Sequence, residues 1–197
     1  MRDLNRRAVL AGLATLPFAQ TLHAALSPYA LSESDTKVGF SFDLSGVAQS
    51  GTMPIRTADV QVDTTRLQNS RVQVALDVSK AKTRLPFARA PMLSPSVLDA
   101  ESHPTITFVS TGIELGQDGR ISDGARITGD LTVRGVTRPI TLEASLYRPQ
   151  GTAEGDLDRL SISLKGALNR HDFGASGYPD LVNDTVTLDI RAEISRL

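Results

Sequence analysis

Hydrophobic and polar residues alternate with a period of two along most of this chain. The clearest stretch is residues 129–147, GDLTVRGVTRPITLEASLY. Leu131 and Val133 fall on one side, with Asp130, Thr132 and Arg134 on the other. Past a turn at Gly135, Ile140, Leu142, Ala144 and Leu146 alternate with Thr141, Glu143, Ser145 and Tyr147. Successive strand side chains face opposite sides of a sheet, so this reads as an antiparallel pair with one apolar and one polar face. Gly135 gives the turn its free dihedrals, and Pro139 stands where the second strand begins, a place that need not donate a ladder bond.

The same signature recurs before and after that pair. Residues 36–44 point Val38, Phe40, Phe42 and Leu44 inward; residues 59–64 offer Val60 and Val62; residues 71–79 offer Val72, Val74, Leu76 and Val78. Residues 105–112 place Ile106 and Phe108 on one face, and residues 125–133 place Ile127, Gly129, Leu131 and Val133 there. Leu160, Ile162, Leu164 and Leu168 mark a further strand, and Val186, Leu188, Ile190, Ala192 and Ile194 mark the last. Residues 27–31 read as a short arm, and Gly46 with the Gly51 region as a bend. Gln117-Asp118-Gly119 reads as a hairpin turn, residues 149–155 as a polar loop, and residues 169–180 as a loop holding Gly174 and Gly177.

Residues 80–104 break the pattern and hold four prolines. Ser94-Pro95 has the form of an N-cap followed by a first helical residue, which predicts one or two short helical turns between Phe87 and Ala100. Phe87, Met92, Leu93, Val97 and Leu98 are apolar without a period; they plug an end of the structure or form a lid. Roughly eight amphipathic strands with one helical excursion predict a single all-β antiparallel domain, a barrel or a sandwich. Small inward residues (Gly129, Ala144, Gly166 and Ala192) leave room for a ligand or accommodate a large neighbour, and composition leaves both readings open.

Composition narrows the function classes. Charge is balanced, with 21 Lys+Arg against 22 Asp+Glu, and aromatic content is only 5% without tryptophan. Neither an electrostatic footprint nor stacking platforms for nucleic acid are present. With no cysteine, thiol chemistry, disulfides and cysteine metal sites are excluded. His103 and His171 do not stand at metal-ligand spacing. There is no Gly-x-Ser-x-Gly turn, phosphate loop or dinucleotide fingerprint, so no catalytic residue is assigned and the chain is not expected to be an enzyme.

Residues 1–24 read as an export signal: Arg2, Arg6 and Arg7 lead a mildly apolar run ending at Leu22-His23-Ala24, with cleavage expected near Ala24. Asn5-Arg6-Arg7-Ala8-Val9-Leu10 resembles a twin-arginine signal. An ordinary secretory leader with two arginines is the alternative; Gly12 and Pro17, which keep the run only moderately hydrophobic, favour the former. Loss of the leader takes the formal charge from −1 to −3. Residues 25–197 then form the mature domain, expected in the periplasm.

Three segments carry a family resemblance. Leu98-Asp99-Ala100-Glu101-Ser102-His103-Pro104-Thr105-Ile106-Thr107-Phe108 is similar to the F-D-x-x-x-x-P-x-x-x-F signature of YceI-like proteins, with Leu98 in place of its first aromatic. The run from Gly129 to Pro139 resembles that family's G-x-L-T-x-x-G-x-T-x-P hairpin, and Asn169-Arg170-His171-Asp172-Phe173-Gly174 its N-R-x-D-F-G loop. Asp35-Thr36 stands where many members carry a histidine–serine pair. The resemblance implies an all-β, antiparallel, eight-stranded lipocalin-like barrel with a short helical excursion. It also implies a periplasmic carrier of a long apolar molecule: a polyprenyl lipid, an isoprenoid quinone or a fatty amide. The expected partner is that lipid rather than a cofactor or nucleic acid, with transient membrane contact and a homodimer as further associations. An enzyme acting on a lipid precursor, and a structural β-domain with a filled core, are the alternatives.

On this reading the pocket is lined by Phe40, Phe42, Ile106, Phe108, Leu131, Leu142, Leu164 and Leu188. Asn169, Arg170, Asp172 and Phe173 stand at its rim or gate. For the polar members of that group, a turn network fixing the loop is favoured over head-group contact, since such side chains readily bond nearby backbone.

Overall fold

The computed structural model describes residues 26–116, 124–148, 151–153 and 156–197. The expected leader, the Gln117-Asp118-Gly119 turn and part of the 149–155 loop lie outside the described residues. The strands are β1 (Ser27–Leu31), β2 (Lys37–Leu44), β3 (Val47–Met53), β4 (Ile55–Val62), β5 (Arg71–Asp77), β6 (Lys82–Thr83), β7 (Thr105–Leu115), β8 (Ala125–Val133), β9 (Val136–Tyr147), β10 (Arg159–Asn169) and β11 (Val182–Arg196). All pairings are antiparallel between neighbours in the order β1–β4–β5–β7–β8–β9–β10–β11, and β11 returns to β1, closing an eight-stranded barrel.

The remaining strands extend that ring. The long β11 pairs with β2 over its first part, from Val182 to Arg191, and with β1 over its last, from Ile194 to Arg196. β1 and β2 are thus one ribbon interrupted by residues 32–36. β3 and β4 are another, interrupted at Pro54, and β6 continues the line of β5 by pairing with β3. Closure removes most of the free edges of the sheet, the first part of β9 facing β10 being the exception among the described residues.

Two connections differ from the sequence expectation. The arm at 27–31 is strand β1, and the supposed bend around Gly51 is strand β3, entered through a two-residue turn in which Ser45 and Gly46 both have positive φ. β3 carries no apolar alternation because its inward position at Gly51 is covered by its neighbour. The Phe40 ring lies where a Gly51 Cβ would stand. β4 also starts earlier than expected, at Ile55. The β8–β9 hairpin turns at Arg134 and Gly135, again both at positive φ, the form that matches strand twist. β9 therefore begins at Val136 rather than at Pro139. β10 pairs with β9 only from Glu143 to Tyr147, so Pro139 lies where one side of β9 is unpaired.

The helical excursion lies within the expected Phe87–Ala100 window, but Ser94 does not start it. Helix α1 spans Arg89–Leu93, and Ser94 follows it instead of preceding it, with both its N–H and its Oγ donating to the Pro91 carbonyl at 3.2 and 2.7 Å. Pro91 sits within the first turn, where a missing N–H costs nothing.

The barrel has two ends, where its ribbons reverse. At the first end, Tyr29, Val60, Val62, Leu160 and Ile194 form a buried cluster. The Tyr29 hydroxyl donates to the Leu157 carbonyl at 2.7 Å, and the Arg196 guanidinium lies 5.9 Å from the Tyr29 ring centre. Beside it, Asp63 (2% exposed) accepts from the Thr65 N–H and hydroxyl, the Arg66 N–H and the Asn69 amide. These donors lower its carboxyl to about 2. The second end holds the β2–β3 and β8–β9 turns, α1 with its flanking segments, and the loop that follows β10.

Candidate functional site

The inward apolar positions do not meet across the barrel. They enclose a cavity of about 590 Å³. Its wall runs from Val186 to Ile194 along β11 alone, about 27 Å of strand at ~3.4 Å per residue. The cluster around Leu160 and Tyr29 closes the first end. At the second end Phe87, Tyr178 and Leu181 border the cavity yet are 71, 43 and 51% exposed. The cavity is therefore a blind tunnel with its mouth between residues 85–91 and the loop after β10.

All eight residues read from the sequence as pocket lining border this cavity: Phe40, Phe42, Ile106, Phe108, Leu131, Leu142, Leu164 and Leu188. They come from six different strands, and alternation alone places them there. The Phe40 and Phe42 rings stack with centroids 6.3 Å apart. The expectation about small residues divides. Gly129 makes way for the Phe108 ring and Gly166 for the Leu142 side chain, so neither opens space, whereas Ala192 lines the cavity. The hollow arises because aliphatic side chains do not span the ring, not because glycines retreat from it.

The second end is built by arginines that donate to backbone carbonyls. Arg170, 5% exposed, donates from Nε to Asn183 (3.1 Å), from Nη1 to Ala175 and Gly177 (2.7 and 2.6 Å) and from Nη2 to Val182 (3.0 Å). Its planar fork thereby shapes the loop 174–183 and forms part of the cavity wall. Arg134 ties that loop to the excursion by donating to Val97 (2.9 Å) and Gly174 (2.8 Å). Arg89 pins α1 through the carbonyls of Ala81 and Ser79. Met92, Leu93 and Leu98 pack on Met53, Val78 and Ala81 beneath it, so this part of the excursion plugs the end while Phe87 stays at the mouth.

The four rim residues therefore part company. Arg170 and Phe173 border the cavity, and Phe173 is buried with Leu131 and Val133. Asn169 turns to accept the His171 N–H at 2.9 Å, and Asp172 is exposed. Asn169 and Asp172 do not border the cavity. Tyr178 and Leu181, which the sequence did not single out, take the mouth instead. Tyr178 has φ 58, an unusual conformation for a bulky residue, and its carbonyl accepts from Leu181 and Val182.

The corner at Asp35-Thr36 offers little free polarity. Thr36 borders the cavity, but its Oγ1 accepts the Glu193 N–H at 3.2 Å. Asp35 is exposed and accepts from the Ser32 and Ser34 hydroxyls, which lower its carboxyl below the usual range. His171 meets Asp184 at 2.8 Å on the surface. Among the described residues no group of three His, Cys, Asp or Glu could hold a metal. The cavity wall is thus almost wholly apolar, with its polar members engaged by the protein's own backbone.

A family profile described as a YceI-like domain matches residues 29–194. A UPF0312 protein of Pseudomonas putida strain F1 is 30% identical over 131 residues, 66% of this chain and 65% of the relative. One from Pseudomonas fluorescens is 32% identical over 123 residues, 61% of each chain. The matched stretch thus spans about 65% of the length of the first of these relatives. Among solved structures, Burkholderia cenocepacia BcnA superposes with a TM-score of 0.72 at 17% identity, covering 83% of this chain and 99% of that one. The Campylobacter jejuni YCEI protein gives 0.58 at 18% identity, covering 98% and 99%. At these identities the two structures speak for the barrel alone.

Proposed function

The chain belongs to the YceI-like family, and from that premise we propose that it holds a long apolar lipid of isoprenoid type inside its barrel and carries it through the periplasm. The observation that carries this reading is the apolar tunnel of about 590 Å³, closed at the first end and open at the second among the described residues. Arg170 is the charged residue of the wall, and its donors are engaged by four carbonyls. A guest therefore gains by burying carbon. At ~30 Å³ per water-sized group, the tunnel takes about 20 such groups. Their burial contributes between about 6 kcal/mol, at ~0.3 kcal/mol per atom, and about 16 kcal/mol, at ~0.8 kcal/mol per methylene. Even the lower figure supports binding without a catalytic or ionic contact.

A polyprenyl tail, the side chain of an isoprenoid quinone and a fatty amide all fit that description. A chain longer than about 20 carbons fills the tunnel and protrudes at Phe87 and Leu181, or continues into a second copy. The Arg-led, mildly apolar run at residues 1–24 supports the periplasmic part of this reading.

Purified protein, extracted with organic solvent, is expected to release a stoichiometric isoprenoid or fatty compound detected by mass spectrometry. Extracts free of lipid, together with no uptake of added quinone or polyprenyl lipid, would refute the carrier reading.

A further inference from the structure

Outside the tunnel, the outward faces of β11, β2, β3 and β6 form a second hollow. This groove of about 400 Å³ is bordered by Lys37, Lys82, Arg84 and Arg191. Asp189 is the carboxylate within it. All four cations are exposed, and none forms an ion pair among the described residues. The floor is low and nearly bare. A Cβ at Gly39 would come within 2.8 Å of the Asp189 carbonyl, and the hydroxyls of Ser41, Ser50 and Thr52 complete it. A chain of formal charge −1 has gathered unpaired positive charge on one face of its barrel.

That face leads directly to the tunnel. Lys82 and Arg84 stand three to five residues before Phe87, which is 71% exposed and borders the mouth, and Val47 at the start of β3 is 60% exposed. Leu181, also at the mouth, is joined to the β2–β3 turn, its carbonyl accepting the Ser45 N–H at 2.8 Å. Basic and apolar side chains thus share one margin of the molecule, the combination that holds a protein at the headgroup boundary of an anionic membrane. The acids around the mouth include Asp43, whose carboxylate accepts the Gly46 N–H, Asp180 beside Leu181, Asp172 on the loop after β10, and Asp184, which meets His171. The attraction must therefore come from the groove rather than from the mouth itself.

We propose that the groove formed by Lys37, Lys82, Arg84 and Arg191 docks the protein on the phosphate headgroups of an anionic bilayer, bringing the Phe87 mouth to the lipid surface. This deepens the carrier reading and rests on it for its purpose, but not for its physics. The phosphates meet the four cations. Phe87 and Leu181 enter the headgroup–acyl boundary, and a guest passes between membrane and tunnel without crossing water.

The test is co-sedimentation of the purified protein with vesicles of phosphatidylcholine, with and without phosphatidylglycerol. A parallel assay measures uptake of a short-chain isoprenoid quinone from vesicle-free solution. Binding is expected only to vesicles containing phosphatidylglycerol, and to fall steeply with salt. It should be about thirtyfold weaker in the double variant K82Q/R84Q, which removes two surface charges, while quinone uptake from solution is unchanged. Equal binding to both vesicles, or an unaltered double variant, would overturn the docking. So would a native dimer that K82Q/R84Q dissociates in the absence of vesicles, which would assign the face to a second copy. Salt-sensitive vesicle binding without any quinone uptake would uphold the docking and sink the carrier reading.

Discussion

Replacing Ala192 by phenylalanine separates a hollow barrel from a filled one, because the two give opposite signs. Ala192 lines the tunnel from β11, opposite Ile162 of β10. A benzene ring occupies a cavity of ~150 Å³, about a quarter of the roughly 590 Å³ present. The capacity for about 20 guest groups falls to about 15. Losing about five groups costs roughly 1.5 kcal/mol at ~0.3 kcal/mol per atom and about 4 kcal/mol at ~0.8 kcal/mol per methylene. Affinity for a chain that fills the tunnel should therefore fall between about tenfold and a thousandfold. The free protein, by contrast, gains a ring packed into open space, up to ~2 kcal/mol of added stability. In a solidly packed interior the same ring would cost about 1–3 kcal/mol. Quinone titration and urea unfolding of the A192F variant measure the two quantities. A variant that is clearly destabilised, or that binds as tightly as the parent, refutes the tunnel as the site.

Two further outcomes follow from the ends of the barrel. Arg170→Lys leaves the carbonyls of Ala175, Gly177, Val182 and Asn183 without a planar partner. It should lower stability by on the order of 3 kcal/mol and speed amide exchange across residues 174–183; unchanged exchange there would show that the fork does not hold the loop. At the other end, the Asp63 carboxyl is lowered to about 2 by its donors. The stability it contributes is full above the unfolded value of about 3.9 and is lost as pH falls toward the folded one. Asp63→Asn should therefore weaken the protein at neutral pH, and the gap to the parent should close between about pH 4 and 2; a gap constant across that window would contradict this.

The tunnel wall was legible in the sequence because its information is local. At Phe108, Leu131 or Leu188, apolar neighbours two positions away fix the inward face, and the ring closes whatever the loops do. β3 escaped notice because its apolar cover comes from Phe40 on β2 rather than from its own residues. Ser94 misled because a short hydroxyl side chain serves a helix end of either polarity, and here it bonds back to Pro91. The mouth was legible only in part: Phe87 stood among the apolar residues expected to plug an end or form a lid, and Arg170 and Phe173 at the rim, but its other wall was not. Tyr178 and Leu181 belong to a loop with no period, and their position is set by Arg170 and Arg134 reaching carbonyls, groups that every residue has and no sequence distinguishes.

The packing of Tyr29, Leu160 and Ile194 at one end has a directional consequence. A tube shut at its base is threaded and unthreaded from the same side. An amphiphile must slide in hydrocarbon foremost and come out with that end trailing. On the proposed carrier reading its polar terminus stays near the doorway throughout and is the part a receiving molecule would meet first, so the guest would be handed over in a fixed orientation.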